Sequence, residues 1–406
     1  MDLKKNFKKI GLNVSKSILN DFLKSVGIEK DSNEKGYSYI NNPKNAKETL
    51  HNVFITNNIY IKKENDIILP TIIKNKNKEW GKQLIILIPQ GLSHKKITDN
   101  VDLFETALDK EVEIEHKGKR IYMKIFNNRL KKYYPYKKEI HHNLEKYKLG
   151  FPIGYTKTGF RYLELTKTFH HLLVGGIMGS GKSVFIRQGL YAMCQVYPKS
   201  YLNIYPIDLK GGLEAKPFSN IPQVIDIAKN KNEAIEMIYY LNNEILNERI
   251  TKLENEGVTN INNSNLDLPY ILIVFDEFAE VSSIGKAMEG IERLLRICRF
   301  AGMHLIIATQ RPDRKIVQGQ QKANIPATVA FKTRNGVNSR ILLDDESSAE
   351  LPNISGRGIL QTNKNEIIQV PYLKTNKIYE KYGFPKKEET ENNNEEIDDF
   401  GEVIGE

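Results

Sequence analysis

Apolar positions along this chain change their spacing several times, and each change marks a new kind of element. Over residues 1–45 they are sparse (Phe7, Ile10, Leu19, Phe22, Leu23, Val26) among lysine and asparagine, spaced for one short amphipathic helix in a basic N-terminal segment. From Val53 to Phe126 the runs VFITNNIYIKK, DIILPTII, QLIILIPQG, VEIEH and RIYMKIF are short, β-rich and split by polar turns, with a helix between Ser93 and Leu108. Residues 46–127 are therefore expected to form a small α+β accessory domain without a site of its own. Residues 128–150 interleave basic and aromatic side chains, either as a stacking surface for nucleic acid or as a linker whose rings pack on a neighbour.

From 151 to 380, strand patterns at about 170–175, 202–208, 270–275, 304–309 and 327–332 alternate with helical patterns at about 183–195, 231–253 and 286–300. Such alternation predicts βαβ units and an α/β fold with a mainly parallel sheet covered on both faces. The unbroken run Tyr270-Ile271-Leu272-Ile273-Val274-Phe275 has the character of a central parallel strand. Residues 381–406 form an acidic, Asn-rich tail that cannot bury enough apolar surface to fold alone and is expected to be disordered.

Charge changes this picture in one respect. The net charge is +10, yet residues 388–406 hold nine acidic and no basic side chains, so the rest of the chain carries +19 once those nine are set aside. An excess of that size suits a polyanion such as nucleic acid, or an anionic surface. Cys194 and Cys298 fall in helical patterns among apolar neighbours, with neither metal spacing nor a disulfide framework, as expected for a reducing cytoplasm. No apolar run is long enough to span a bilayer, so the expected location is cytoplasmic, with any attachment to the inner face of the membrane made through partners.

The candidate chemistry starts at Gly176-x-x-x-x-Gly181-Lys182-Ser183, between an apolar strand pattern and a helical one. This is the order a phosphate-binding loop requires, because the glycines let consecutive N–H groups converge at a helix N-terminus. Gly176, Ile177, Met178, Gly179, Ser180, Gly181, Lys182, Ser183 and Val184 are the expected ATP-binding segment, with Lys182 on the β/γ-phosphates and Ser183 on Mg²⁺. Asp276 and Glu277 end the strand of residues 270–275, where a parallel sheet gathers its carboxyl ends. Asp276 would hold the Mg²⁺ shell and Glu277 would act as general base on the attacking water. Gln310 ends the next strand and can bond both γ-phosphate and water; the loop after it carries Arg314, Lys315 and Lys322, candidates for contact with a DNA backbone.

The segments HHLLVGGIMGSGKSV, ILIVFDEFAEV, RFAGMHLIIATQRP and KANIPATVAFKTRNGVNSRILLD together resemble the motor domain of the FtsK/SpoIIIE family of DNA-translocating ATPases, of the type carried by Gram-positive conjugative elements. The resemblance implies a RecA-like core that assembles as a ring hexamer and moves double-stranded DNA, with ATP between subunits and an arginine supplied in trans. NNEILNERITKL resembles the family segment ending in paired arginines, which makes Arg249 the candidate in trans; only one arginine stands there, so Arg299 and Arg340 remain open. Thr259 stands near the place of an expected basic pore residue, which shifts the DNA contact toward Lys252 and the 313–322 loop. The membrane-spanning and winged-helix parts of cell-division members do not appear, so the expected role is conjugative transfer beside a relaxase and membrane channel proteins. A chromosome-partitioning pump or a secretion ATPase with protein cargo is the alternative.

Overall fold

The computed structural model describes residues 45–63, 66–312 and 322–384. The expectations for residues 1–44, for Arg314 and Lys315, and for the tail beyond 384 therefore concern residues outside those described. The chain forms two compact units, one of residues up to 131 together with 155–159, the other of 132–154 and 160 onward.

In the first unit, helix α1 (Ala46–Thr56) precedes a two-stranded ribbon of β1 (Ile61–Lys63) and β2 (Asp66–Ile68). Strands β3 (Thr71–Lys78), β4 (Gly81–Leu87), β5 (Val112–Lys117) and β6 (Arg120–Phe126) then build an antiparallel sheet in the order β3-β4-β6-β5. Helices α2 (Lys95–Thr98) and α3 (Val101–Leu108) lie between β4 and β5 in the chain. One sheet face (Leu84, Ile86, Ile121, Met123, Ile125) is buried in a single cluster with Leu50, Val53 and Phe54 of α1 and Phe104 of α3.

Val53 to Thr56 were expected to open a strand and instead end α1. The β-branched side chains there favour a strand only locally. A cap at Asn45, whose side chain accepts from Lys47 N and Glu48 N and donates to Glu48 Oε1, starts a helix that places Leu50, Val53 and Phe54 on one buried face.

The second unit holds a nine-stranded sheet. Its strands are β7 (Gly150–Thr156), β8 (Gly159–Glu164), β9 (His171–Gly175), β10 (Leu202–Ile207), β11 (Tyr270–Phe275), β12 (Met303–Thr309), β13 (Ala327–Phe331), β14 (Arg357–Gln361) and β15 (Asn365–Gln369), in the order β10-β11-β12-β9-β13-β14-β15-β7-β8. The five strands expected from the hydrophobic pattern are the five consecutive parallel ones, β10 to β13, and the α/β class is as expected. The pairs β13/β14 and β14/β15 are antiparallel. Every residue of β9, β11, β12 and β13 is buried, as in a sheet covered on both faces.

Residues 132–149 belong to this unit, where Tyr136, Ile140, Leu144 and Leu149 join the main core and Tyr136 meets Tyr191 edge-on at 5.5 Å. Register then sets the site. Thr309 pairs with Gly175, Phe275 with Ile307, and Ile207 with Phe275. The residues that follow each strand, Gly176, Gln310, Asp276 and Asp208, thus leave the sheet along one edge.

Candidate functional site

The loop from β9 enters helix α4 (Lys182–Val196) at Gly181, whose φ of +115° lies where a side chain is strained. A Cβ there would stand 2.6 Å from Gly356 N, and Gly356 N itself donates to Ser180 O at 2.8 Å. The loop is thereby held from behind, and its inner side faces the helix N-terminus, the arrangement that binds anions. Lys182 Nζ donates to Gly176 O at 2.8 Å and reaches Ile177 O at 3.4 Å. Burial pushes its pKa down to about 8, against the opposing pull of Glu277 and then Asp276. Both strand-tip acids therefore stand close enough to act on the lysine's charge.

Asp276 is mostly buried, and that burial raises its pKa to about 6; Lys210 opposes the rise, with Nζ 3.6 Å from the carboxylate, while Asp208 and Glu214 add to it. Asp208 was not singled out from the sequence. It ends β10 as Asp276 ends β11, an acid directly after an apolar strand, and that parallel was the available signal. Its carboxylate, 1% exposed, accepts from the backbone N–H of Lys210, Glu214 and Ala215 and shapes the turn that brings Lys210 to Asp276.

Ser183, Asp208, Glu214 and Asp276 line one pocket with Arg187, which pairs with Glu214 at 3.0 Å. Among the described residues no group of three His, Cys, Asp or Glu could hold a metal unaided. The pocket still fits Mg²⁺, which demands few protein ligands and takes the rest from phosphate oxygens and water. A desolvated acid whose proton is held up to about pH 6 is relieved by a cation.

Glu277 is 7% exposed and faces the tip of β12. Its Oε1 accepts from Thr309 Oγ1 at 2.9 Å and from Gln310 N at 3.1 Å, and Oε2 accepts from Gln310 N at 3.0 Å. Oε2 thus keeps a lone pair for a water molecule. Gln310 lines a cleft of about 940 Å³ with Gly176, Ile177 and Met178, and Arg311 and Arg334 line it as well.

Arg249 requires a correction. It is 5% exposed, and its two terminal nitrogens donate to Ala301 O at 2.8 Å and Pro269 O at 2.6 Å, so its guanidinium holds this chain's own backbone and is not presented to another subunit. The sequence held a hint, because Leu246, Arg249 and Leu253 repeat at helical spacing and all three are buried. Arg249→Ala should leave two buried carbonyls without donors and lower the unfolding free energy by about 2–5 kcal/mol. Urea titration checks this; a variant of parental stability that has lost ATP hydrolysis would restore the role in trans.

Arg299 is exposed and stacks on Phe300 at 4.5 Å, and Arg340 pairs with Glu346. Lys252 is paired with Glu248 on the same helix, and Lys322 with Asp344 at 2.7 Å. Among the described residues, neither lysine pairs with the glycine loop or the strand-tip acids.

Residues 138–314 match the FtsK/SpoIIIE family. Over 241 residues the chain is 31% identical to the ESX secretion system protein YukB of Bacillus subtilis, covering 55% of this chain and 16% of that protein. Over 244 residues it is 31% identical to the DNA translocase FtsK of Clostridium acetobutylicum, covering 56% of this chain and 31% of the relative. The chain thus spans less than a third of either relative. Among solved structures, the monomer form of the pCW3 conjugation coupling protein TcpA with ATPγS has a similar fold (TM-score 0.57, 21% identity, 82% of this chain and 99% of that one). So does the cytoplasmic domain of the type VII secretion ATPase EccC of Thermomonospora curvata (TM-score 0.51, 24% identity, 56% of this chain and 29% of that one).

Proposed function

We propose, from the match of residues 138–314 to the FtsK/SpoIIIE family, that this chain hydrolyses ATP and uses the energy to move double-stranded DNA, in the transfer of a plasmid or integrative element. The observation that carries this reading is the shared sheet edge from which Gly176–Ser183, Asp276, Glu277 and Gln310 all emerge. On this reading the loop amides and Lys182 hold the phosphate chain, and Lys182 leaves Gly176 O for a phosphate oxygen. Mg²⁺, held by Ser183 and through water by Asp276, would neutralise charge on the phosphates. Glu277 takes the proton of the attacking water at Oε2, while Thr309 and Gln310 N keep the carboxylate aimed. Gln310 orients the water from the cleft side.

A cycling motor must exchange subunit contacts, so the arginine in trans has to be exposed on the single chain, as Arg299 and Arg340 both are. Assembly into a ring hexamer and a place beside a relaxase and membrane channel proteins belong to the same proposal, as does a cytoplasmic location. Among the described residues no helix is long and apolar enough to cross a membrane.

ATP hydrolysis by the purified chain is expected to rise several-fold on adding duplex DNA at low salt and to lose that rise as salt increases, because phosphate contacts release counterions. Displacement of a third strand from a duplex, dependent on ATP, would then report movement. A rate indifferent to DNA would sink the reading. It would favour the second one, a secretion ATPase with polypeptide cargo, which the 31% identity to an ESX secretion protein keeps in view.

A further inference from the structure

We propose that the uncovered face of the accessory sheet is a second docking surface for duplex DNA, built on Lys74, Lys76 and Lys78 of β3 with Arg120 of β6. This rests on the reading of the chain as a DNA motor and adds a contact outside the ATPase domain.

Directly paired residues of an antiparallel sheet share a face. The register sets Lys74 beside Ile85 and Tyr122, Lys76 beside Gln83 and Lys124, Lys78 beside Gly81, and Leu87 beside Arg120 and Lys117. The intervening residues, Leu84, Ile86, Ile121 and Met123, face the opposite way, into the core against α1 and α3. The face that remains is open over most of its length: Lys74, Lys76, Lys78, Leu87 and Arg120 are exposed, and Gln83, Ile85, Tyr122 and Lys124 partly so, while at the Lys78 end Gly81 and Phe126 are buried, with Lys157 Nζ 5.2 Å from the Phe126 ring centre.

Its charge is lopsided. The acids of β5 are engaged locally, Glu113 with Lys124 at 3.2 Å and Glu115 with Lys117 at 2.9 Å. Lys74, Lys76, Lys78 and Arg120 have no acidic partner within ion-pair distance among the described residues. Alternate residues on a strand stand roughly 7 Å apart, close to the repeat of phosphates along one nucleic-acid strand. Three lysines at that repeat match the spacing of successive phosphates, and lysine serves such contacts as a point charge.

Edge lysines also keep a strand from pairing with other chains. That role needs charge on β3 alone. Arg120 sits on β6, with β4 between it and the edge; its row runs through Leu87 to Thr71, next to the row of Lys74, so a fourth cation stands on the same face away from the edge. Protection of the edge does not account for Arg120; a polyanion laid across the sheet does.

The test uses the full chain carrying Lys74→Gln, Lys76→Gln and Lys78→Gln, and reads duplex affinity by fluorescence anisotropy over a salt series. The slope of log affinity against log salt should fall by roughly 3, near 0.9 per lost phosphate contact, with affinity at low salt down at least tenfold. Hydrolysis of ATP without DNA should be unchanged. The matched triple Lys47→Gln, Lys95→Gln, Lys96→Gln removes the same charge from the helices of the domain and should change the slope far less. Arg120→Gln alone should cost roughly one slope unit, and having no edge role it decides the matter if the β3 triple aggregates. Equal effects of the two triples, or a parental slope for Arg120→Gln, overturn the proposal. A parent that binds duplex while these variants match it sinks only this surface; a parent that never binds duplex sinks the motor reading itself.

Discussion

Glu277→Gln is expected to leave nucleotide affinity within a few-fold of the parent and to lower the rate of ATP hydrolysis by roughly 10²–10⁴-fold, the usual contribution of a positioned general base. The substitution is nearly isosteric. Its amide oxygen can go on accepting from Thr309 Oγ1 and Gln310 N, so the tip of β12 should keep its geometry. What changes is Oε2, which becomes an amide NH2 that can neither take a proton from water nor accept from Gln310 N, whose N–H keeps Oε1 as its acceptor. Single-turnover hydrolysis beside equilibrium binding of a fluorescent ATP analogue separates the two effects. Hydrolysis at the parental rate would mean that another group activates the water.

Lys182→Ala should act on the other quantity. The ammonium lies at the mouth of the loop with Gly176 O as its close partner, a neutral acceptor that a phosphate oxygen replaces with gain. Losing a charge-assisted bond of about 1.5–3 kcal/mol weakens nucleotide binding by roughly 10–100-fold. Unchanged affinity measured by titration calorimetry would sink the assignment.

The same two buried groups give binding a pH window. Lys182 loses its proton above about pH 8, and a phosphate chain needs it charged, so affinity should decline as pH rises through 8. Asp276 gains a proton below about pH 6, and a cation needs it ionised, so Mg²⁺-dependent affinity should decline as pH falls through 6. Calorimetry in buffers of different ionisation enthalpy should show proton uptake on binding near pH 8 and release near pH 6; Asp276→Asn should abolish only the latter. For folding the linkage runs otherwise. The unfolded lysine holds its proton up to its ordinary pKa of 10.5, so Lys182 adds stability with rising pH between about 8 and 10.5. The unfolded aspartate has lost its proton above about 3.8, so Asp276 costs stability as pH rises from there to about 6.

Much of the site was legible because its signals are local. A glycine turn between an apolar strand and a helix, and acids directly after a buried strand, depend on residues a few places apart, and those are the distances that pattern reading resolves. Asp208 shows the limit within that range. The strand before it is interrupted by Pro206, and the carboxylate serves the backbone of its own turn, so the residue looks ordinary until Lys210 is seen beside Asp276. Val53–Thr56 shows the reverse, where local β preference yields to a cap and a buried helical face.

By itself the chain's order of residues determined that there would be a mainly parallel sheet in an α/β fold, where its glycine-rich loop lies, and which acids and amide end its strands. Only tertiary structure decided that β12 stands between β11 and β9, so that Thr309 and Gln310 N grip Glu277, and that Arg249 is spent on the carbonyls of Ala301 and Pro269. The reason is physical. Element type follows from backbone preferences and burial period over a few residues, whereas strand order and the partner of a buried charge follow from pairing across tens or hundreds of residues, where many arrangements of the same pattern differ by little until every polar group must be satisfied at once.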